Sequence, residues 1–176
     1  MAVGPHYRDD VASSLALLAA VVWGASDFLA GMVSRTMRPV VVVAWSQGIG
    51  LLVLSAVVAV RGLPDGGYAG WWPWAALAGA TGSLGLLCFY AALAQGTMGV
   101  VAPIAALGGG IPVLLGVLSG EAPTTLAWVG IAVALTGVVL ASGPELQLGL
   151  GTRSVALAAG AAVGFGIGRA SCRERV

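Results

Sequence analysis

Trp71-Trp-Pro-Trp-Ala-Ala-Leu-Ala-Gly-Ala-Thr-Gly-Ser-Leu-Gly-Leu-Leu-Cys-Phe-Tyr-Ala-Ala-Leu-Ala94 contains no Asp, Glu, Lys, Arg or His, and neither does any position from Gly66 to Gly120. A hydrocarbon core about 30 Å thick is crossed by ~20 apolar residues at about 1.5 Å rise each. The stretch therefore reads as a membrane-spanning helix, and the wider window holds two. Trp71, Trp72 and Trp74 gather at one end of it, where an interfacial aromatic belt belongs.

Working outward, the same pattern recurs. Val11 to Ser34 has Asp27 as its one acid or base; Pro39 to Val60 and Ala122 to Pro144 have none. The whole chain of 176 residues is 59% hydrophobic and 9% charged, against about 25% charged in a soluble domain. Too few polar side chains exist to coat a water-facing surface, so the solvent is partly lipid. The net charge of +1 supplies no basic field for nucleic acid. Cys88 and Cys172 make neither a disulfide framework nor a metal spacing, and Cys88 in its apolar run reads as an inert buried thiol. No nucleophile–base pair or metal cluster is visible. Gly108-Gly-Gly110 has no following Lys and is no phosphate loop, so nothing supports an enzyme, a cofactor or ATP-driven work.

The fold class read from these windows is an all-α polytopic transmembrane bundle of five complete spans and a partial sixth. The spans run 11–34, 39–60, 71–94, 100–118 and 125–142, with the sixth starting at Ser154. Short breaker-rich connections make consecutive helices antiparallel neighbours. The first span is too long for a cleaved leader, so it is expected to be retained. Gly79, Gly82 and Gly85 on the third span and Gly130, Ala134 and Gly137 on the fifth form small-residue stripes that let backbones approach. Gly108-Gly-Gly-Ile-Pro112 is different: a missing donor and three glycines predict a kink or local unwinding, which either lines a cavity or serves packing.

Leu15-Ala-Leu-Leu-Ala-Ala-Val-Val-Trp-Gly24 aligns with Leu157-Ala-Ala-Gly-Ala-Ala-Val-Gly-Phe-Gly166, so Trp23 meets Phe165 at an offset of 165 − 23 = 142. Five helices fall within that period, and an odd number inverts the second copy, as in secondary transporters. Trp23-Gly-Ala-Ser-Asp-Phe28 resembles the first helix of the EamA-type family of the drug/metabolite transporter superfamily. Tyr90 to Ile104, with Pro103, is similar to that family's third-to-fourth helix junction. Pro112, Gly120-Glu121, Gly130-Ile131 and Gly137-Val-Val139 follow its closing pattern. The resemblance covers Ser13 to Ala141. It implies ten helices in two inverted five-helix repeats, of which residues 11–142 are the first, export of metabolites, amino acids or drugs, and structural roles for Gly24, Pro103, Glu121, Gly130 and Gly137.

Asp27 is the leading site residue. A carboxylate in a spanning helix costs about 2.5–3.5 kcal/mol on insertion scales and seldom faces lipid. Trp23, Asp27, Ala30 and Ser34 share one helical face, with Ser26 alongside. Asp27 either handles protons, cations or a cationic solute, or is a structural acid that is hydrogen-bonded or paired with Arg35 or Arg38. The family often has no acid there, so the resemblance lends Asp27 no role. Gln47, Tyr90, Gly109 and Pro112 complete the expected substrate-binding set. Ser46, Thr81, Ser83 and Thr136 are expected to make interhelical hydrogen bonds. Glu121 is expected to cap the start of the fifth span, and His6 to be a solvated tail residue.

Residues 1–10 form an N-terminal tail, 143–153 a linker and 154–166 the start of a second repeat. Ile167-Gly-Arg-Ala-Ser-Cys-Arg-Glu-Arg-Val176 resembles the translation of a common sequencing adapter, so 167–176 is expected to be non-native. Arg8 and Arg61 lie on one side and Arg35, Arg38 and Arg153 on the other, which leaves orientation undecided. The expected partners are the lipid bilayer, a small-molecule substrate, and either a second repeat or a second copy in a homodimer, in a bacterial inner membrane. The expected function is secondary export of a small metabolite or drug-like solute by alternating access. The alternative is a truncated, inactive chain or a non-transporting helical subunit.

Overall fold

The computed structural model describes residues 5–62, 70, 72–146 and 151–173, with the side chains of 5–10, 141, 143–146 and 172–173 excepted. Among the described residues the α-helices are, in order, α1 Pro5–Val33, α2 Pro39–Arg61, α3 Trp72–Leu93, α4 Met98–Ala106, α5 Gly110–Leu118, α6 Thr125–Leu146 and α7 Thr152–Arg173. The described residues include no strand. Five described segments are long and apolar enough to cross a bilayer: Val11–Val33, Pro39–Arg61, Trp72–Leu93, Met98–Leu118 and Thr152–Ser171. A shorter apolar stretch, Thr125–Leu140, lies within α6. The expected spans thus coincide with helices to within a few residues. Trp71 and most of the second connection, 63–69, lie outside the described residues, as do 174–176.

Helix ends follow local chemistry. Arg38 is extended (φ −65°, ψ 127°) because Pro39 follows it, and Pro39 then opens α2 at a position needing no N–H. At the end of α5, Gly120 adopts φ +90°. The Glu121 N–H bonds the Gly116 carbonyl at 2.9 Å and the Gly120 N–H bonds Val117 at 3.0 Å. This is a Schellman closure, which wants glycine at the left-handed position. Thr124 caps α6: its Oγ1 accepts the Ala127 N–H at 3.3 Å. A hydroxyl one residue ahead of the helix reaches its first free donors.

Three boundaries differ from the sequence reading. α1 begins at Pro5, within the expected N-terminal tail of residues 1–10. α6 continues through Gly143 and Pro144 to Leu146, into the expected linker. A proline this close to a helix end costs only one hydrogen bond, to a carbonyl of the terminal turns. α7 runs to Arg173 instead of ending near Gly166, because nothing in Ile167–Arg173 breaks a helix.

The break between α4 and α5 is a single 3-10 turn, Leu107–Gly109. Pro112 has no N–H for the Gly108 carbonyl, so the chain tightens instead of unwinding.

The core sits at α7. Buried residues recur along α7, among them Ser154, Ala158, Ala161 and Ser171, whereas α2 has Val43. α7 packs along α3 and across the α4–α5 break. Close approach is made by glycine. A Cβ added at Gly164 would lie 2.8 Å from both the Gly85 Cα and the Thr81 carbonyl oxygen. One at Gly108 would run into the Ala162 carbonyl, and one at Gly166 would lie 2.8 Å from the Gly108 oxygen. Ala158 and Ala161 are fully buried beside them. By contrast, Gly24, Gly79, Gly82, Gly130 and Gly137 meet nothing within 4 Å. Of the glycines in the two expected stripes, only Gly85 would bring an added Cβ against another helix among the described residues.

Candidate functional site between the first, third and seventh helices

Asp27 lies on α1 six residues before Val33, roughly 9 Å along the axis from the helix end. The face drawn from helical spacing does turn inward at its C-terminal half. Asp27 and Ala30 are half-buried and Ser34 is buried, while Trp23 stays at the rim, 67% exposed. Ser26 is exposed. What lets α1 approach is Gly31, whose missing side chain makes room for Leu93 of α3.

The partner of Asp27 is Tyr90. The phenol, buried on α3, donates to Asp27 Oδ1 at 3.1 Å. The Trp23 indole, one turn earlier on α1, lines the same cavity as the carboxylate. Arg35, one of the expected counter-charges, instead donates from Nη2 to the Gly96 carbonyl at 3.2 Å and ties the α1–α2 corner to the α3–α4 corner. An acid at membrane depth thus has a neutral donor, the Tyr90 phenol, which replaces part of its lost hydration; a hydrogen bond to a charged group contributes about 1.5–3 kcal/mol.

Beside the carboxylate opens a cavity of about 200 Å³. Trp23 and Asp27 of α1, Phe89 of α3 and Phe165 of α7 form its functional wall. Leu86, Ala102, Ala105 and Ala106 complete it with apolar surface, the alanines leaving the space open. Phe89 and Phe165 meet edge to face with centroids 6.0 Å apart. Trp23 and Phe165, the two positions aligned by the internal repeat, therefore face one cavity. Arg169 also lines it, its guanidinium 5.9 Å from the Phe165 centroid. Arg169 falls in the segment read as adapter translation, so no native role is assigned to it.

The rest of the expected set lies elsewhere. Gln47 of α2 donates from Nε2 to Ser83 Oγ of α3 at 2.9 Å, on an exposed face. Gly109 is exposed and meets open space, and Pro112 is half-buried on α5; neither lines the cavity. Their neighbour Gly108 makes the close contact, because it is the residue turned toward α7. The hydroxyls also differ from expectation. Ser46, Thr81 and Thr136 bond carbonyls of their own helices at 3.1, 2.7 and 2.8 Å, and only Ser83 bridges two helices. A short hydroxyl reaches its own preceding turn more readily than a neighbouring helix. The Cys88 thiol packs toward Gly160, 3.5 Å from where a Cβ would stand.

Phe89, Phe165 and the alanines of α4 were not singled out from sequence. For Phe165 the repeat alignment was the available signal; alanine in an apolar run carries none.

A helical bundle with several bilayer-length spans, a 3-10 break in one of them and an acid-lined cavity at membrane depth is a multi-pass membrane protein of the transporter class. The chain belongs to the EamA-like transporter family, whose sequence pattern matches residues 11–143. Comparison with curated proteins and with solved structures finds no match.

Proposed function

We propose that the chain is a unit of a secondary transporter that exports a small solute across a bacterial plasma membrane, with Asp27 at the solute pathway. The observation that carries this reading is the pairing of Asp27 with Tyr90 at the mouth of the α1–α3–α7 cavity. An intramembrane carboxylate is costly, and one that opens onto a cavity is in contact with whatever passes. The 3-10 break on the α4–α5 span borders the same region, where broken helices in transporters commonly lie. Alternating access requires a second five-helix unit rocking against this one, supplied by a further repeat or by a copy inserted in the opposite orientation. Gln47, Gly109 and Pro112 then serve that second contact or the packing of this unit.

The test is solute flux. The full chain is reconstituted into vesicles loaded with a mixture of amino acids, amines and neutral metabolites, and efflux is followed by mass spectrometry. Selective efflux above that of protein-free vesicles supports the reading. Flux equal to that of empty vesicles, with helical content intact, assigns the chain to the non-transporting alternative.

A further inference from the structure

Resting on that transport reading and extending it to the solute, we propose that the cavity beside Asp27 takes a small organic cation: an amine or quaternary ammonium on an apolar body. Four observations converge. The carboxylate spends one oxygen on Tyr90, and a carboxylate has about four acceptor positions, so acceptor capacity remains for a ligand cation. The other functional wall is aromatic: Trp23, Phe89 and Phe165 present ring faces or edges to the same space. Rings within about 6 Å attract cations, more strongly where water is scarce. Apart from Arg169, the remaining wall is Leu and Ala, which offers no hydroxyl donor to a sugar.

The fourth observation is a cation already there. The Arg169 guanidinium lines the cavity and lies 5.9 Å from the Phe165 centroid. Tethered to α7, it stands where the ammonium of a solute would stand. The cavity of about 200 Å³ holds roughly seven waters at ~30 Å³ each, a metabolite-sized space.

The experiment uses the full chain in lipid nanodiscs and two probes of one shape, phenyltrimethylammonium and its uncharged isostere tert-butylbenzene, each corrected for binding to empty discs. The expected result is about tenfold tighter binding of the cation. The preference persists in Asp27→Glu, disappears in Asp27→Asn, and grows in Arg169→Ala, which removes the tethered competitor. Equal binding of the two probes by both the parent chain and Arg169→Ala overturns the proposal, as does a preference that survives Asp27→Asn. If Asp27→Asn loses its helical content, the parent and Arg169→Ala comparisons still decide. Efflux of neutral metabolites from vesicles made with the same preparation separates the two claims: neutral flux without cation preference retains transport and removes the cation.

Discussion

The Tyr90 hydroxyl donates to Asp27 Oδ1 at 3.1 Å, and this bond joins α3 to the otherwise loosely held α1. The two residues are 63 positions apart. Their pairing answers how an acid is carried at membrane depth: the phenol supplies a donor where water is scarce, and the carboxylate is left with capacity for a second partner.

Tyr90→Phe removes that donor and little else. The bond is expected to be worth about 0.6–2 kcal/mol, toward the lower end because unfolded helices in a membrane find other partners. Unfolding in mixed micelles checks this. A double-mutant cycle with Asp27→Asn should return a coupling of similar size; zero coupling would mean that the bond does not form.

The glycines divide into two groups with opposite outcomes. Gly164→Ala and Gly108→Ala press a methyl against the backbone of Gly85 and the Ala162 carbonyl, neither of which is a flexible side-chain tip. Each is expected to cost about 1–3 kcal/mol of bundle stability. Gly130→Ala and Gly137→Ala point into open space and should be neutral or stabilising by up to ~1 kcal/mol, through helix propensity. Thermal unfolding of the four variants side by side is the measurement. A stabilised Gly164→Ala would show that α7 does not pack on α3 as described.

How much of this was legible beforehand depends on what sets each feature. Span limits were, because roughly twenty charge-free residues bounded by Arg, Pro or Gly are a property of the string itself. An interruption of the fourth span near Gly108–Pro112 was, because Pro112 and three glycines act locally; that it tightens into a 3-10 turn at Leu107–Gly109 was not. The inward turn of Asp27 was, from the cost of an acid in lipid; Tyr90 as its partner was not, since spacing along α1 says nothing about which residue of α3 lies opposite. The same reason explains the glycines. Gly79, Gly82 and Gly85 share a helix and a spacing, yet only Gly85 meets Phe165 and Gly164, because α7 crosses α3 there. Thr124 as a cap of α6 was within reach, from a hydroxyl placed just before an apolar run.

Gly120→Ala tests the α5–α6 corner. At φ +90° a side chain clashes with its own backbone, and the expected cost is about 1–2 kcal/mol. Proteolysis at the 119–124 connection reads it: faster cleavage in Gly120→Ala than in the parent chain is the predicted pattern, and unchanged cleavage would contradict it.

The central claim, that Asp27 acts on the transported solute, is tested most directly by comparing efflux from vesicles containing the parent chain, Asp27→Asn and Asp27→Glu at matched, verified amounts of folded protein. The account predicts flux in the parent chain, a fall of tenfold or more (about 1.4 kcal/mol) in Asp27→Asn, and substantial recovery in Asp27→Glu. Equal flux from Asp27→Asn and the parent chain would contradict it and leave Asp27 as a structural acid held by Tyr90.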